Sequence, residues 1–281
     1  MAGTLYLVAT PIGNLEDISF RAIRVLKEAD LIAAEDTRNS LKLLNHFDIH
    51  TPMTSYHEFN KFDKGKVLVE KLLDGMNIAL ITDAGTPGIS DPGEEVVKMC
   101  RESNITVTAV PGPAAAVMAL TISGLPTRRF AFEAFLPADK KEQRQILEEL
   151  KTETRTIVIY EAPHRLVKTL SLLLETLGDR RCVLLRELTK KHETVMDSSF
   201  SALLDCYKDE KPLGECVLVI EGRSRESIQE EDMRSWEETS VKEHVAYYEA
   251  RGCSNKDAMK LAARDRGVSK REIYAELLKS L

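Results

Sequence analysis

Long apolar runs, cysteine pairs and a strong net charge are all missing from this sequence of 281 residues. No apolar stretch approaches the roughly 20 residues of a membrane helix. Met1 to Thr10 has no basic region before its apolar stretch, so a signal peptide is not expected. The five cysteines are odd in number, scattered and without a CxxC pair, which indicates reduced thiols in a cytoplasmic protein. The net charge of −6 means that a nucleic-acid-binding surface would have to be local.

Familiar phosphate-binding motifs are missing too. Neither GxGxxG nor GxxxxGK[ST] occurs, which argues against a dinucleotide or a nucleoside triphosphate as ligand. Three loops rich in small residues follow predicted strands instead, at residues 10–17, 82–93 and 110–116. A tight turn explains any one of them alone. Three of them at successive strand ends of one sheet predict a ligand site, because ligands of parallel sheets bind outside the carboxyl ends of the strands.

Short apolar runs alternate with helical patterns in the first half of the chain. The runs at 5–9, 31–34, 78–81 and 105–109 are typical of buried parallel strands. Near residue 125 the pattern changes, and further strands at 130–135, 155–160, 181–186 and 215–220 predict a second domain with a mixed sheet. We therefore expect an α/β fold with two α/β domains, at residues 1–124 and 125–222.

The last part of the chain differs in charge. An acidic linker is predicted over 223–240, and a basic helical extension over 241–281 has nine Lys or Arg against six Asp or Glu. Ser254 and Ser269, each three residues before an acid, predict the start of two helices, and Gly267 fits the turn between them, as in a helix-turn-helix. Helical spacing places three cations along one stripe: Lys256, Lys260 and Arg264.

Seven strings, in this order, resemble the tetrapyrrole-methylase-like superfamily, the class III S-adenosylmethionine-dependent methyltransferases: LVATPIGNLEDISFRA, EDTR, ITDAGTPGISDPG, PGPAAA, FLP, YEAPHR and RELTKKHE. The likeness covers residues 3–222 and is closest to the branch that 2′-O-methylates a cytidine ribose of small-subunit (16S) ribosomal RNA. It implies two α/β domains of the tetrapyrrole-methylase type with a cofactor cleft between them. It also implies S-adenosylmethionine as cofactor, small-subunit ribosomal RNA or the assembled subunit as partner, and a homodimer. Ala134 departs from the family, which usually has glycine there.

The resemblance also assigns the cofactor contacts, motif by motif. In the first domain they are Ile12, Asp83, Ala84, Gly85, Gly88, Ile89, Ser90, Ala114 and Ala115, and in the second they are Tyr160, Glu161 and Leu188. Small residues would admit the adenine and the methionine backbone closely. The Asp83 carboxylate would offset the ammonium or sulfonium charge of the cofactor.

Three residues are candidates for catalysis. Glu35 and Asp36 follow a predicted strand, although Asp36 would equally suit a helix N-cap with a surface ion pair. Lys190 could steer the hydroxyl, or act as a base if burial lowers its pKa. RNA contacts should come mostly from basic side chains, and the candidates are Arg38, His57, Asn60, Arg144, Arg165, Lys256, Lys260, Arg264, Lys270 and Arg271. No spacing of residues suits a metal site.

Two other functions compete with RNA methylation. A protein of the same fold could methylate a small molecule such as a tetrapyrrole, in which case it would bind porphyrinoids and no RNA. A non-catalytic RNA-binding module would bind the cofactor without turnover. The EDTR and ELTK strings and the basic extension favour the RNA methyltransferase over both.

Overall fold

The computed structural model describes residues 1–224, 226–228, 233–234, 236 and 239–279. They form two compact units, one of residues 1–147 with 156–221, the other of residues 148–155 with 222–281. Both sheets belong to the first unit. No helix in the described part of the chain is long and apolar enough to cross a membrane. Much of the predicted acidic linker lies outside the described residues, and the predicted domain boundaries stay predictions.

The first sheet is parallel, as predicted, with strand order β3-β2-β4-β1-β5. Its strands are β1 (Thr4–Val8), β2 (Leu31–Ala34), β3 (Met53–Ser55), β4 (Ile78–Ile81) and β5 (Thr106–Val110). The connecting helices are α1 (Phe20–Glu28), α2 (Thr37–His46), α3 (Lys61–Leu73) and α4 (Gly93–Glu102), and a 3-10 turn at Leu15–Asp17 precedes α1.

Helices cover this sheet on both faces. Ala79 and Ile81 of β4 lie in a core with residues of α1 and α2, whereas Ile78 and Leu80 lie in a second core with residues of α3 and α4. All four side chains are at most 2% exposed. Since both faces are closed by apolar packing, only the ends of the strands are open to a ligand.

The second sheet is mixed, as predicted, with strand order β6-β7-β10-β8-β9. Only β6 and β7 pair in parallel, and the other pairs are antiparallel. Its strands are β6 (Phe130–Phe135), β7 (Thr156–Glu161), β8 (Arg181–Arg186), β9 (Thr194–Ser199) and β10 (Cys216–Ile220). The associated helices are α6 (Lys140–Leu150), α7 (Pro163–Leu177) and α8 (Phe200–Cys206). Strand β9 is not predicted by the sequence pattern, because most of its residues are polar.

Helix α5 (Ala115–Ile122) connects the two sheets. It follows β5 of the first sheet, yet Ala116 and Leu120 pack in one core with Val158 and Val217 of the second. The hydroxyl of Tyr160 also accepts a hydrogen bond from the Ala116 N–H, at 2.9 Å. The start of α5, where the third predicted loop ends, is therefore fixed from the second sheet.

Strand β6 contains a β-bulge. Its register against β7 shifts between Phe132 and Ala134, so that Glu133 is the extra residue and Phe135 lies opposite Tyr160. Ala134 has a φ of 52°, in the left-handed region that a Cβ atom disfavours. This explains physically why glycine suits the position in the related family.

The second unit contains three helices within residues 239–279, one more than predicted. They are α9 (Val241–Glu249), α10 (Asn255–Asp265) and α11 (Lys270–Lys279). Ser254 and Ser269 cap α10 and α11 as predicted. The sequence analysis missed α9, although Ser240 and Glu243 form a capping box at its start. That signal lies at the end of the stretch predicted as a linker.

Replacing Ala134 with glycine should stabilise the protein. The left-handed conformation costs a non-glycine residue about 1–2 kcal/mol, and the extra chain entropy of glycine offsets about 0.5–1 kcal/mol of that gain. We expect the free energy of unfolding of Ala134→Gly to rise by about 0.5–1 kcal/mol in urea titrations. Ala131→Gly, at a buried position of the same strand without positive φ, is the control and should be destabilising. A less stable Ala134→Gly would show that the bulge is not strained.

Candidate cofactor and substrate site

The three predicted loops meet at the carboxyl end of the first sheet. Thr10 and Gly85 exchange two backbone hydrogen bonds, at 2.9 and 3.1 Å, and the Thr10 hydroxyl donates to the Thr82 carbonyl at 3.3 Å. The Thr86 hydroxyl donates to the carbonyl of Pro113 at 2.8 Å. The second loop is therefore bonded to both of the others, and the three form one continuous surface.

The loops approach each other too closely for larger side chains. A Cβ atom on Gly112 would lie 2.7 Å from the Cβ of Ala9. On Gly85, where φ is 86°, it would lie 3.4 Å from Cγ2 of Ile12. The glycines thus allow the backbones to pack directly against each other and leave a cradle lined by main-chain groups and small side chains.

Asp91 shapes the second loop, and the sequence analysis missed it. Its carboxylate accepts hydrogen bonds from the N–H groups of Gly88 at 2.8 Å, Ile89 at 3.1 Å and Gly93 at 2.7 Å. Ser90, inside the turn, has a φ of 64°. An Asp in a run of Gly and Pro is the available sequence signal, because its side chain can close such a turn.

Glu35 and Asp83 bring two carboxylates together at the ends of neighbouring strands β2 and β4. Oε2 of Glu35 accepts a hydrogen bond from the Thr82 hydroxyl at 2.6 Å, and Oδ1 of Asp83 accepts one from the Asp36 N–H at 3.1 Å. Partial desolvation and the nearby Glu35 charge raise the pKa of Asp83. The site thus holds a carboxylate that a cationic group would stabilise.

Asp36 takes the structural role that the sequence left open for it. It is the N-cap of α2, accepting the Arg38 N–H at 2.8 Å, and two further hydrogen bonds join it to the Arg38 guanidinium. The Arg38 side chain lowers the pKa of Asp36 to about 2. So weak a base is a poor proton acceptor, which argues against Asp36 as the catalytic base. Arg38, a predicted RNA contact, is exposed and forms an ion pair with Asp36.

Lys190 reaches the first loop from the end of β8. Its stem covers Gly13, where a Cβ would lie 2.4 Å from the Lys190 Cγ. Its ammonium contacts Glu187 at 3.0 Å and Glu215 at 3.1 Å. Burial alone would lower the pKa of Lys190, but the hydrogen bonds to the two glutamates outweigh burial and raise it. The structure therefore disfavours Lys190 as a base and suits a steering role.

Leu188 is buried beside Ile12, as a lining role requires.

Glu161, a predicted cofactor contact, and Arg165, a predicted RNA contact, both have side-chain partners within the protein. The Glu161 carboxylate is buried and accepts hydrogen bonds from the Thr169 hydroxyl at 2.5 Å and the Ala162 N–H at 2.8 Å. Arg165 lies 3.3 Å from Glu161 and donates to the Leu136 carbonyl at 2.7 Å. The Glu161 carboxylate is thus satisfied by groups of the protein, while Arg165 keeps N–H donors beyond these two contacts.

The other predicted RNA contacts are spread over both units. His57 and Asn60 bond to each other, with the His57 N–H donating to Asn60 Oδ1 at 2.8 Å. Arg144 is exposed on α6. The remaining five belong to the second unit: Lys256, Lys260, Arg264, Lys270 and Arg271.

Comparison with known proteins agrees with this architecture. Residues 4–204 match the family of tetrapyrrole (corrin/porphyrin) methylases. A curated relative from Halalkalibacterium halodurans, named ribosomal RNA small subunit methyltransferase I, is 51% identical over 97% of this chain and 93% of its own length. Relatives of the same name from Bacillus subtilis and Escherichia coli O157:H7 are 48% and 44% identical, each over 97% of this chain and 93% of their own length. The chain belongs to the tetrapyrrole methylase family.

Two solved structures support the fold. Diphthine synthase has a TM-score of 0.63 at 14% identity, covering 78% of this chain and 90% of its own. Uroporphyrin-III-C-methyltransferase from Thermus thermophilus has a TM-score of 0.55 at 22% identity, covering 77% and 94%. They show that the two-sheet α/β fold is that of the family, as predicted.

The methyl donor of this family is S-adenosylmethionine, and the site fits it in two respects. The joined loops present main-chain groups and small side chains around Gly85 and Gly112, which a ligand can approach closely. Asp83 is an anionic group at the same edge of the sheet, and a cationic ligand would stabilise its charge. Asp83, Gly85, Ala114 and Ala115 are the residues that we expect to hold it, with Ile12 and Leu188 as the apolar wall.

Replacing Asp83 with asparagine should affect cofactor affinity and the stability of the fold differently. The amide oxygen can still accept the Asp36 N–H, but the charge is lost. We expect S-adenosylmethionine affinity, measured by calorimetry, to fall about tenfold or more, while the melting temperature at neutral pH stays equal or rises. Because the folded protein raises the pKa of Asp83, its ionised form opposes folding. The stability difference should therefore shrink as the pH falls through that pKa.

Asp91→Asn is the matched control for this variant. It removes the same charge from the same loop, but both carboxylate oxygens of Asp91 accept N–H groups, so the NH2 of asparagine would break at least one of the three contacts that close the turn. Its melting temperature should fall. Unchanged cofactor affinity in Asp83→Asn would contradict the role given to Asp83.

Proposed function

We propose that the protein is an S-adenosylmethionine-dependent methyltransferase that 2′-O-methylates a cytidine ribose of small-subunit ribosomal RNA. The single observation that supports this most is the near full-length similarity to relatives named ribosomal RNA small subunit methyltransferase I. The joined loops at the end of the first sheet provide the place for the reaction. An enzyme with this substrate works where ribosomes assemble, in the cytoplasm.

In this proposal the cofactor supplies an electrophilic methyl group, and the chain positions the attacking ribose oxygen. Alignment alone can contribute several kcal/mol, out of roughly 7–11 kcal/mol available from proximity. Lys190 remains charged between its two glutamates, so it can only donate, and it suits steering of a hydroxyl or phosphate oxygen. Glu35 is left as the candidate proton acceptor, since Asp36 is committed to Arg38. A general base would add about 10²–10⁴-fold to the rate.

The second unit supports an RNA substrate through its exposed cations. Lys256, Lys260 and Arg264 are all exposed on one side of α10. Arg264 pairs with Asp265. Lys256 and Lys260 have no ion-pair partner among the described residues. The stripe is thus available to phosphates, which is how a chain of net negative charge can bind RNA.

Four acidic residues of this unit bond to neighbouring groups of the unit itself. Glu243, Asp257 and Glu272 lie in the first turns of α9, α10 and α11, where they bond to the capping serines and the helix dipole offsets their charge. Asp265 is 7% exposed and accepts from the Tyr248 hydroxyl. In the described part of this unit, none of these four carboxylates forms an ion pair with Lys256 or Lys260.

The homodimer remains part of the proposal. Phe59 is 97% exposed and Phe62 is 57% exposed near the edge strand β3, and exposed apolar side chains of this kind favour an interface over solvent. Sedimentation velocity on the full chain would give the mass.

The function is tested by methyl transfer from labelled S-adenosylmethionine to unmodified small ribosomal subunits, with free ribosomal RNA in parallel. We expect label on a ribose 2′-oxygen. Cofactor binding without transfer to either RNA would contradict the proposal and would favour a small-molecule substrate such as a tetrapyrrole.

Reversing two charges on the α10 stripe should weaken RNA binding. In Lys256→Glu/Lys260→Glu the negative slope of log affinity against log salt concentration should decrease in magnitude by about 1.4–1.8, since each of the two lost phosphate contacts removes about 0.7–0.9. Cofactor affinity should be unchanged. Lys98→Glu/Lys168→Glu makes the same charge change at exposed helix positions of the first unit and should keep the wild-type slope. Equal slopes for both double variants would remove the stripe from the RNA surface.

A further inference from the structure

The bulge in β6 decides where Phe135 points. On β7, Val158 packs in the core with α5 and Tyr160 bonds to it, so these alternate residues face the helix. Phe132 lies opposite Val158, and Phe135 lies opposite Tyr160. Side chains alternate between the faces of a strand, so without the extra residue Phe135 would lie on the opposite face. The bulge places it on the side of α5.

The backbone around Phe135 is held firmly. Leu136 is 1% exposed and its carbonyl accepts from Arg165 at 2.7 Å. The Pro137 carbonyl accepts from the Gln143 side chain at 3.2 Å. On the other side Ala134 is in the disfavoured left-handed conformation. The Phe135 residue itself is 49% exposed. Its ring therefore faces solvent although the backbone on both sides of it is fixed.

This ring is close to the candidate site. Its centroid lies 5.5 Å from that of Tyr160, with the planes tilted by 59°. The Tyr160 hydroxyl in turn bonds to Ala116, directly after the predicted cofactor contacts Ala114 and Ala115. Phe135 is therefore one aromatic side chain away from the start of α5.

Single exposed aromatic residues are common on protein surfaces. Here, however, the neighbouring backbone is strained, and backbone strain is typical of functional sites. A ribose methyltransferase must hold a nucleotide with its sugar facing the cofactor, and bases splayed from RNA stack well on aromatic rings. We propose that Phe135 stacks on the base of the target nucleotide and so positions its ribose. This inference rests on the proposed RNA substrate.

The test compares Phe135→Ala with Phe130→Ala. Phe130 begins the same strand, on the same face, and is 39% exposed, but it lies at the end away from Tyr160. Stacking on one base is worth about 1–3 kcal/mol, so Phe135→Ala should raise the KM for the RNA substrate about 5–150-fold. Affinity for S-adenosylmethionine, measured by calorimetry, should stay within about twofold. Phe130→Ala should change neither quantity.

Two further variants show whether a change in KM comes from lost stacking or from a disturbed structure. Phe135→Trp keeps an aromatic face and should retain a KM near that of the wild type. Phe135→Leu keeps apolar contact with Tyr160 without that face, and should resemble Phe135→Ala in KM while matching the wild type in melting temperature.

Each contrary result has a distinct meaning. A loss of cofactor affinity in Phe135→Ala that matches its loss of activity would assign the ring to the cofactor and overturn the proposal. A wild-type KM in Phe135→Ala would also overturn the stacking proposal. If that variant still transfers methyl groups to RNA, the proposed function is unaffected by this result. A wild-type enzyme that transfers label to no RNA would reject both.

Discussion

The packing of α5 against the second sheet is the contact on which the rest of the site depends. The helix starts where the third loop ends, yet its buried side chains belong to a core that the second sheet provides. Because Tyr160 also binds the first turn of α5, any movement between the sheets would displace the third loop, which is bonded to the second. The site therefore depends on apolar burial outside it as well as on the hydrogen bonds that join its loops.

Negative charge is distributed in opposite ways in the two units. In the first, Glu35 and Asp83 lie at neighbouring strand ends, where partial desolvation and the Glu35 charge raise the pKa of Asp83. In the second, carboxylates lie at helix starts or are buried, where local donors satisfy them. The same residue types thus lie at the candidate site in one unit and at helix starts in the other. Net charge alone, at −6, conceals both arrangements.

Much of the fold follows from the sequence, because apolar runs and capping serines are local signals. The parallel sheet, the mixed sheet and the starts of α10 and α11 were all predictable in this way. The roles of Glu161 and Arg165 were not, since they depend on which end of α7 and which carbonyl lie beside them once the sheet has formed. Strand β9 has no apolar alternation and owes its place to pairing with β8. Motif resemblance assigned positions to the site, but it could not say which way a side chain turns.

Non-glycine residues with positive φ mark where the molecule accepts strain for the sake of geometry. Ser90, Ala134, Glu187 and Thr189 all belong to segments at the candidate site. Thr189 is β-branched, for which this conformation is especially unfavourable. Such strain persists only where surrounding contacts over-determine the backbone: the three hydrogen bonds of Asp91 hold one such segment, and the Lys190 ion pairs hold another. The loops are therefore shaped before any ligand arrives, which lowers the entropic cost of aligning a methyl donor with an RNA ribose.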